Sequence, residues 1–193
     1  MNFLAHLYLS GDSSELLIGN FIADAVKGKE YQKFSEGIIQ GIRLHRKIDE
    51  FTDRHPVVHQ SVERLRPVYS KYSTVIVDIF YDHFLACNWN SYSEIPLDMY
   101  AQDIYKLITS RLDIMPLRVH RFLPYMIEGN WLYNYSNMEG IERVLRGMSG
   151  RAKFVSHMEN SIEDLRRDYA LYEAEFKLFF PDLIRFSEAE RRA

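Results

Sequence analysis

Two residues four apart, His45 and Asp49, are the first in this chain whose types and spacing suggest chemistry. At 100° per residue, Ile38, Ile42, His45, Asp49 and Thr52 fall in one narrow stripe, and residues four apart on a helix are neighbours. An apolar face thus runs directly into an imidazole and a carboxylate, with Asp53 at its edge. A second stretch behaves alike. Val75, Ile76, Ile79, Phe80, Phe84 and Cys87 define a buried face, with His83 near its middle, Asp82 near one border and Asp78 one turn earlier. In a third, Leu17, Asn20, Phe21 and Asp24 share one side. His6 stands in an N-terminal apolar run of no clear helical register.

Taken singly, a histidine on an apolar face is usually a hydrogen-bonded core residue, and an i, i+4 His–Asp pair a local contact. Together they ask for more. Three helices each turn a carboxylate toward the core, and a buried charge without a partner costs several kcal/mol. A divalent metal would supply the compensation. A carboxylate–imidazole set without thiolate suits manganese, iron or magnesium better than zinc. Arg46 borders the His45/Asp49 stripe and has the fork geometry to hold a phosphate. A second basic run, Arg143, Arg146, Arg151, Lys153, Arg166 and Arg167, reads equally as a docking surface for an acidic partner or as solvated surface. Cys87 reads as an inert thiol on a buried face.

The elements that must position these residues are helices. Helical periodicity dominates and strand alternation is scarce. The expected fold is all-α, a single domain over residues 1–193 with about eight helices. The first runs from an Asp12/Glu15 capping box to Gly28, the second from Ser35 to just before Pro56, and a third opens at Pro56. The next spans Ser73 to about Trp89, and another Pro96 to just before Pro116. One holds Val119 to Ile127 and is disturbed by Pro124. One starts at Ser136/Glu139 and ends near Gly147. The last runs from Lys153 to Phe180 and stops at Pro181.

Composition narrows the function classes. The chain has 193 residues, 24 Lys+Arg against 27 Asp+Glu and one cysteine. That balance gives no bulk attraction to nucleic acid or to an anionic membrane. A lone cysteine rules out an intrachain disulfide and a cysteine-based zinc site. No apolar run approaches the ~18 residues of a spanning helix, and no basic region precedes the apolar start. A cytoplasmic protein is expected, and no oligomeric state follows. No GxSxG elbow, Walker loop or dinucleotide fingerprint occurs.

The segments MNFLAHLYLS at the start, GNFIADAVKG at 19–28, GIRLHRKIDEFTD at 41–53, DIFYDHFLACNW at 78–89 and NWLYNYSNMEGIERVLRGMSGR at 130–151 resemble the acyl carrier protein phosphodiesterases. The resemblance covers nearly the whole chain. It implies hydrolysis of the phosphodiester joining 4′-phosphopantetheine to a serine of holo-acyl carrier protein, with a divalent cation, manganese favoured, and a divergent HD-phosphohydrolase-like fold. That superfamily is named for an adjacent His-Asp pair, and here the adjacent pair is reversed, Asp82-His83. The superfamily's ligand assignment therefore does not transfer, and the family's own motifs carry it instead. They imply Asp24, His45, Asp82, His83 and, less directly, His6 as metal ligands. Asp49 or Asp53 would orient water or act as base, with Arg46 on the phosphate. A related phosphohydrolase of nucleotides or other small phosphodiesters, and a non-catalytic helical binding module, are the alternatives.

Overall fold

The computed structural model describes residues 1–192 and contains no strand among them. Eleven α-helices, joined by short 3-10 turns, follow one another: α1 (Phe3–Leu9), α2 (Ser14–Ile22), α3 (Glu36–Arg54), α4 (Pro56–Tyr69), α5 (Ser73–Cys87), α6 (Leu97–Ser110), α7 (Leu117–Glu128), α8 (Trp131–Asn134), α9 (Met138–Ser149), α10 (Ser161–Arg167) and α11 (Tyr169–Arg192). The all-α expectation holds. No helix among the described residues is long and apolar enough to cross a membrane.

α5 is the axis of the fold. Its residues Ile76, Val77, Ile79, Phe80, Tyr81, Phe84 and Leu85 are fully enclosed, and α1, α4, α9 and α11 pack around it. α11 supplies the largest aromatic wall: Phe176 stacks on Phe180, and Tyr81 meets Phe179 at 5.5 Å. Offset and tilted ring pairs of this kind add stabilisation beyond the area they bury.

α2 and α3 form the closest helix pair, and two glycines make it possible. A Cβ on Gly19 would stand 2.1 Å from the Ile38 carbonyl oxygen, and one on Gly41 2.3 Å from that of Leu16. Backbone therefore meets backbone at this crossing. It brings Asn20 and Asp24, from the end of α2 and the turn after it, against the middle of α3.

Eleven helices stand against the eight or so expected, and their ends depart from expectation in several places: α6 stops at Ser110, short of Pro116, α7 runs through Pro124, and α9 is capped by Asn137 rather than Ser136. The N-terminal run forms a helix of its own, α1, capped by the Asn2 side chain. The cap of α2 is Ser13 rather than Asp12, and α2 gives way to a 3-10 turn over Ala23–Ala25 well before Gly28. The stretch expected as one final helix divides into α10 and α11, and Pro181 lies inside α11 instead of ending it. Proline deprives the Lys177 carbonyl of its N–H partner. Lys177 is solvent-exposed, so water can serve that carbonyl, while Leu183 and Ser187 continue the buried face beyond the proline. Arg191 at the far end of α11 also donates to the Leu9 carbonyl, which ties the helix back to α1.

Candidate active site

α1, α2 and α3 converge on a buried polar cluster. α1 is held by Asp82 of α5. The Asp82 carboxylate is fully buried and accepts backbone N–H bonds from Leu4 (2.7 Å), Asn2 and Ala5 (both 3.3 Å). A carboxylate against the free amides of a helix start is a favourable arrangement. Asp82 thus sets where α1 sits, and with it His6.

His6 and His45 stack with ring centroids 3.9 Å apart and planes 17° from parallel. Asp49 links them: its carboxylate oxygens lie 3.1 Å from His6 Nε2 and 3.2 Å from His45 Nε2. Asp24 approaches His45 Nε2 to 3.4 Å from the exposed side. The other face of His45 meets Asn20, whose Oδ1 is 3.0 Å from His45 Nδ1. Asn20 cannot turn its amide around, because its Nδ2 donates to the His6 carbonyl (2.8 Å) and to Ser10 Oγ (3.0 Å). Its oxygen must therefore accept from His45 Nδ1–H, which aims Nε2 at the carboxylates. The amino group of Met1 completes the cluster, 3.0 Å from Asp78 and 3.8 Å from Asp49.

The charges sort themselves accordingly. Burial opposes charge on His45, but the bonds to Asp24 and Asp49 outweigh it and hold the imidazolium up to about 9. Burial, reinforced by the His45 cation stacked on it, lowers His6 to about 4. The bond from His45 keeps Asp24 below the usual carboxylate range, and bonds from both rings overcome burial to do the same for Asp49. Burial pushes Asp82 up to about 7.

Donor atoms of His6, His45 and Asp49 lie within 4.8 Å of one another, close enough to share one cation. The residues fit such a group. They offer two imidazoles and a carboxylate. His45 carries on its second nitrogen the hydrogen bond that orients metal-ligating imidazoles. His6 Nδ1 is a buried ring nitrogen with no partner among the described residues, which is uncommon and invites an explanation.

His83 lies outside this group. Its Nδ1 is 2.7 Å from the Tyr135 carbonyl oxygen and its Nε2 is 3.1 Å from the Tyr169 hydroxyl, so both nitrogens are engaged between α5, the turn before α9 and α11. Asp82 lies behind α1, its oxygens taken up by backbone amides. Adjacent residues on a helix point about 100° apart, so the Asp82-His83 doublet serves two different neighbours. Arg46 is exposed and stands over the Tyr31 ring at 5.7 Å. Asp53 is exposed on α3, on the side where its charge acts on Asp78. Cys87 is exposed rather than on a buried face. Arg118 of α7 is a site residue no motif announced: it donates to the Asp24 carbonyl oxygen at 3.1 Å across 94 positions of sequence, and no spacing rule reaches that far.

Comparison with known proteins gives one consistent result. The family model described as acyl carrier protein phosphodiesterase matches residues 1–183. Relatives named acyl carrier protein phosphodiesterase include one from Photorhabdus laumondii, 33% identical over 97% of this chain and 96% of its own length. Another, from Klebsiella pneumoniae, is 34% identical over 97% and 98%. A third, from Escherichia coli O157:H7, is 32% identical over the full length of both. No solved structure matches. With its family model matched almost end to end, the chain belongs to the acyl carrier protein phosphodiesterase family.

Proposed function

We propose that the protein is a metal-dependent phosphodiester hydrolase that removes 4′-phosphopantetheine from holo-acyl carrier protein, leaving the apo-carrier. The observation that carries this reading is the convergence of His6, His45 and Asp49 from α1 and α3 beside the exposed carboxylate of Asp24. His6, His45 and Asp49 would hold a divalent cation such as manganese, and Asp24 lies beside His45. Bound there, the cation would polarise the phosphoryl oxygens and acidify a water.

The reaction adds water across the P–O bond to serine: oxygen joins phosphorus, the ester bond breaks, and a proton ends on the serine oxygen. Asp24, held in its ionised form, faces solvent and can orient the entering water. Asp53 and Arg46 lie further out on α3, and Arg118 stands beside the Asp24 backbone. Neither arginine pairs with a carboxylate among the described residues, so both are free to meet phosphate oxygens or an acidic carrier surface. Asp82 and His83, expected as ligands, act here through position: Asp82 by seating α1, and His83 by bracing α5 against its neighbours.

The test is a mass-resolved cleavage assay on holo-acyl carrier protein with metal-stripped enzyme, with and without manganese. Loss of the phosphopantetheine mass only with metal, and not in His45→Ala, supports the proposal. Cleavage that needs no metal would overturn the metal role. No cleavage under any divalent metal would overturn the substrate, and nucleotides and small phosphodiesters would be tried next.

A further inference from the structure

The basic run at residues 143–167 is divided by the fold. Arg146 pairs with Glu142 at 2.8 Å, Arg166 with Glu163, and Arg167 with Asp164 and Asp168 at 2.6 and 2.8 Å. Arg143 and Arg151 have no carboxylate partner among the described residues. Arg151 spends only its Nε, on the Gly147 carbonyl at 3.0 Å. These two cations line one and the same cleft, between α9 and the segment from the end of α7 through α8.

That cleft has a volume of about 140 Å³. One wall is the half-buried indole of Trp131, held flat by stacking on Phe122 with planes 10° apart. The indole N–H has no acceptor among the described residues. Gly147 opens the opposite wall: a Cβ there would meet nothing within 4 Å. The space is comparable to a cavity of ~150 Å³ that accommodates a benzene ring, and it is smaller than the ~300 Å³ lower bound of drug-sized pockets. Unpaired guanidinium forks select phosphate or carboxylate, and an indole face favours a flat or apolar body.

We propose that this cleft binds a small organic phosphate, its phosphate between Arg143 and Arg151 and its body against Trp131. It shares no residue with the His6/His45/Asp49 cluster, so its success or failure leaves the proposed hydrolysis untouched.

Trp131 reports on its own site. The other tryptophan, Trp89, is 2% exposed and its N–H is bonded to the Ile95 carbonyl. Phenyl phosphate is titrated into the full chain while tryptophan emission is followed, with inorganic phosphate and benzyl alcohol as separate arms. The expected result is a saturable change with phenyl phosphate, at least tenfold tighter than with either arm. Arg143→Gln and Arg151→Gln each weaken it at least fivefold, and Gly147→Leu abolishes it by filling the open wall. Melting curves of the three variants show that each folds. The proposal is overturned if phenyl phosphate gives no saturable change, if it binds no tighter than benzyl alcohol or inorganic phosphate, or if neither arginine substitution weakens it.

Discussion

Asn20 Oδ1 lies 3.0 Å from His45 Nδ1, and the amide's other end is locked by the His6 carbonyl and Ser10. One buried side chain therefore decides which nitrogen of His45 faces Asp24 and Asp49. Partners of this kind typically contribute 10–100-fold to metal affinity. Asn20→Leu should lower manganese affinity by about that factor. Asn20→Asp, which keeps an acceptor for His45 but loses the two donors, should retain more of the affinity while losing about 1–3 kcal/mol of stability. Manganese titration beside urea denaturation separates the two effects.

Asp82 and His83 adjoin in sequence, yet their substitutions should read out differently. Asp82→Ala strands the first amides of α1 and unseats His6. We expect a loss of about 3–5 kcal/mol and, with it, weakened metal binding. His83→Gln should cost about 1–2 kcal/mol through its bonds to Tyr135 and Tyr169 and leave metal affinity within twofold of the parent. Equal losses of affinity in both variants, measured under conditions where both are folded, would place His83 in the site after all.

Two glycines predict opposite signs. Gly19→Ala puts a methyl 2.1 Å from the Ile38 carbonyl oxygen, so α2 and α3 must part, at a cost of about 1–3 kcal/mol or more. Gly147→Ala adds a methyl to open space on a helix and should stabilise by about 0.5–1 kcal/mol. Urea midpoints of the two variants check both signs.

The stacked imidazoles and Asp82 together predict how the stability of the metal-free protein depends on pH. His45 stands at about 9 in the fold against 6.5 unfolded, so its contribution is fully present below pH 6.5 and is lost as pH rises toward 9. His6 stands at about 4 against 6.5, so its contribution is present above pH 6.5 and is lost as pH falls toward 4. Asp82 opposes His6: at about 7 in the fold against 3.8 unfolded, its contribution is present below pH 3.8 and is lost as pH rises toward 7. Stability should therefore be nearly level from pH 4 to 6.5 and fall from 6.5 to 9 by an amount on the order of 3 kcal/mol. Melting temperature measured from pH 4 to 9 in chelator should show that plateau and fall. Asp24→Asn, which removes one support of the His45 cation, should flatten the alkaline side.

Local rules made much of this molecule legible from its residues alone. Periodicity announces α3 and α5, and Pro56 and Pro96 mark helix starts because proline fixes φ and lacks only an N–H that a helix start leaves unpaired anyway. The His45/Asp49 pair follows from the same 100° turn, since residues four apart cannot avoid each other on a helix. The family too is written in linear motifs, so composition and spacing carried the reading as far as a histidine–carboxylate site.

Long-range packing decided the rest. His6 meets His45 and Asp49 only because Asp82, 76 positions away, seats α1, and a helix of seven residues has no stability apart from such an anchor. His83 stands apart from that cluster, its nitrogens meeting the Tyr135 carbonyl and the Tyr169 hydroxyl, both distant in sequence. Pro181 fails to end α11 because the buried face continues past it, and burial outweighs one missing hydrogen bond. A helical period tells which face a side chain occupies. Which partner meets that face depends on where other helices pack, and that is a property of the assembled core.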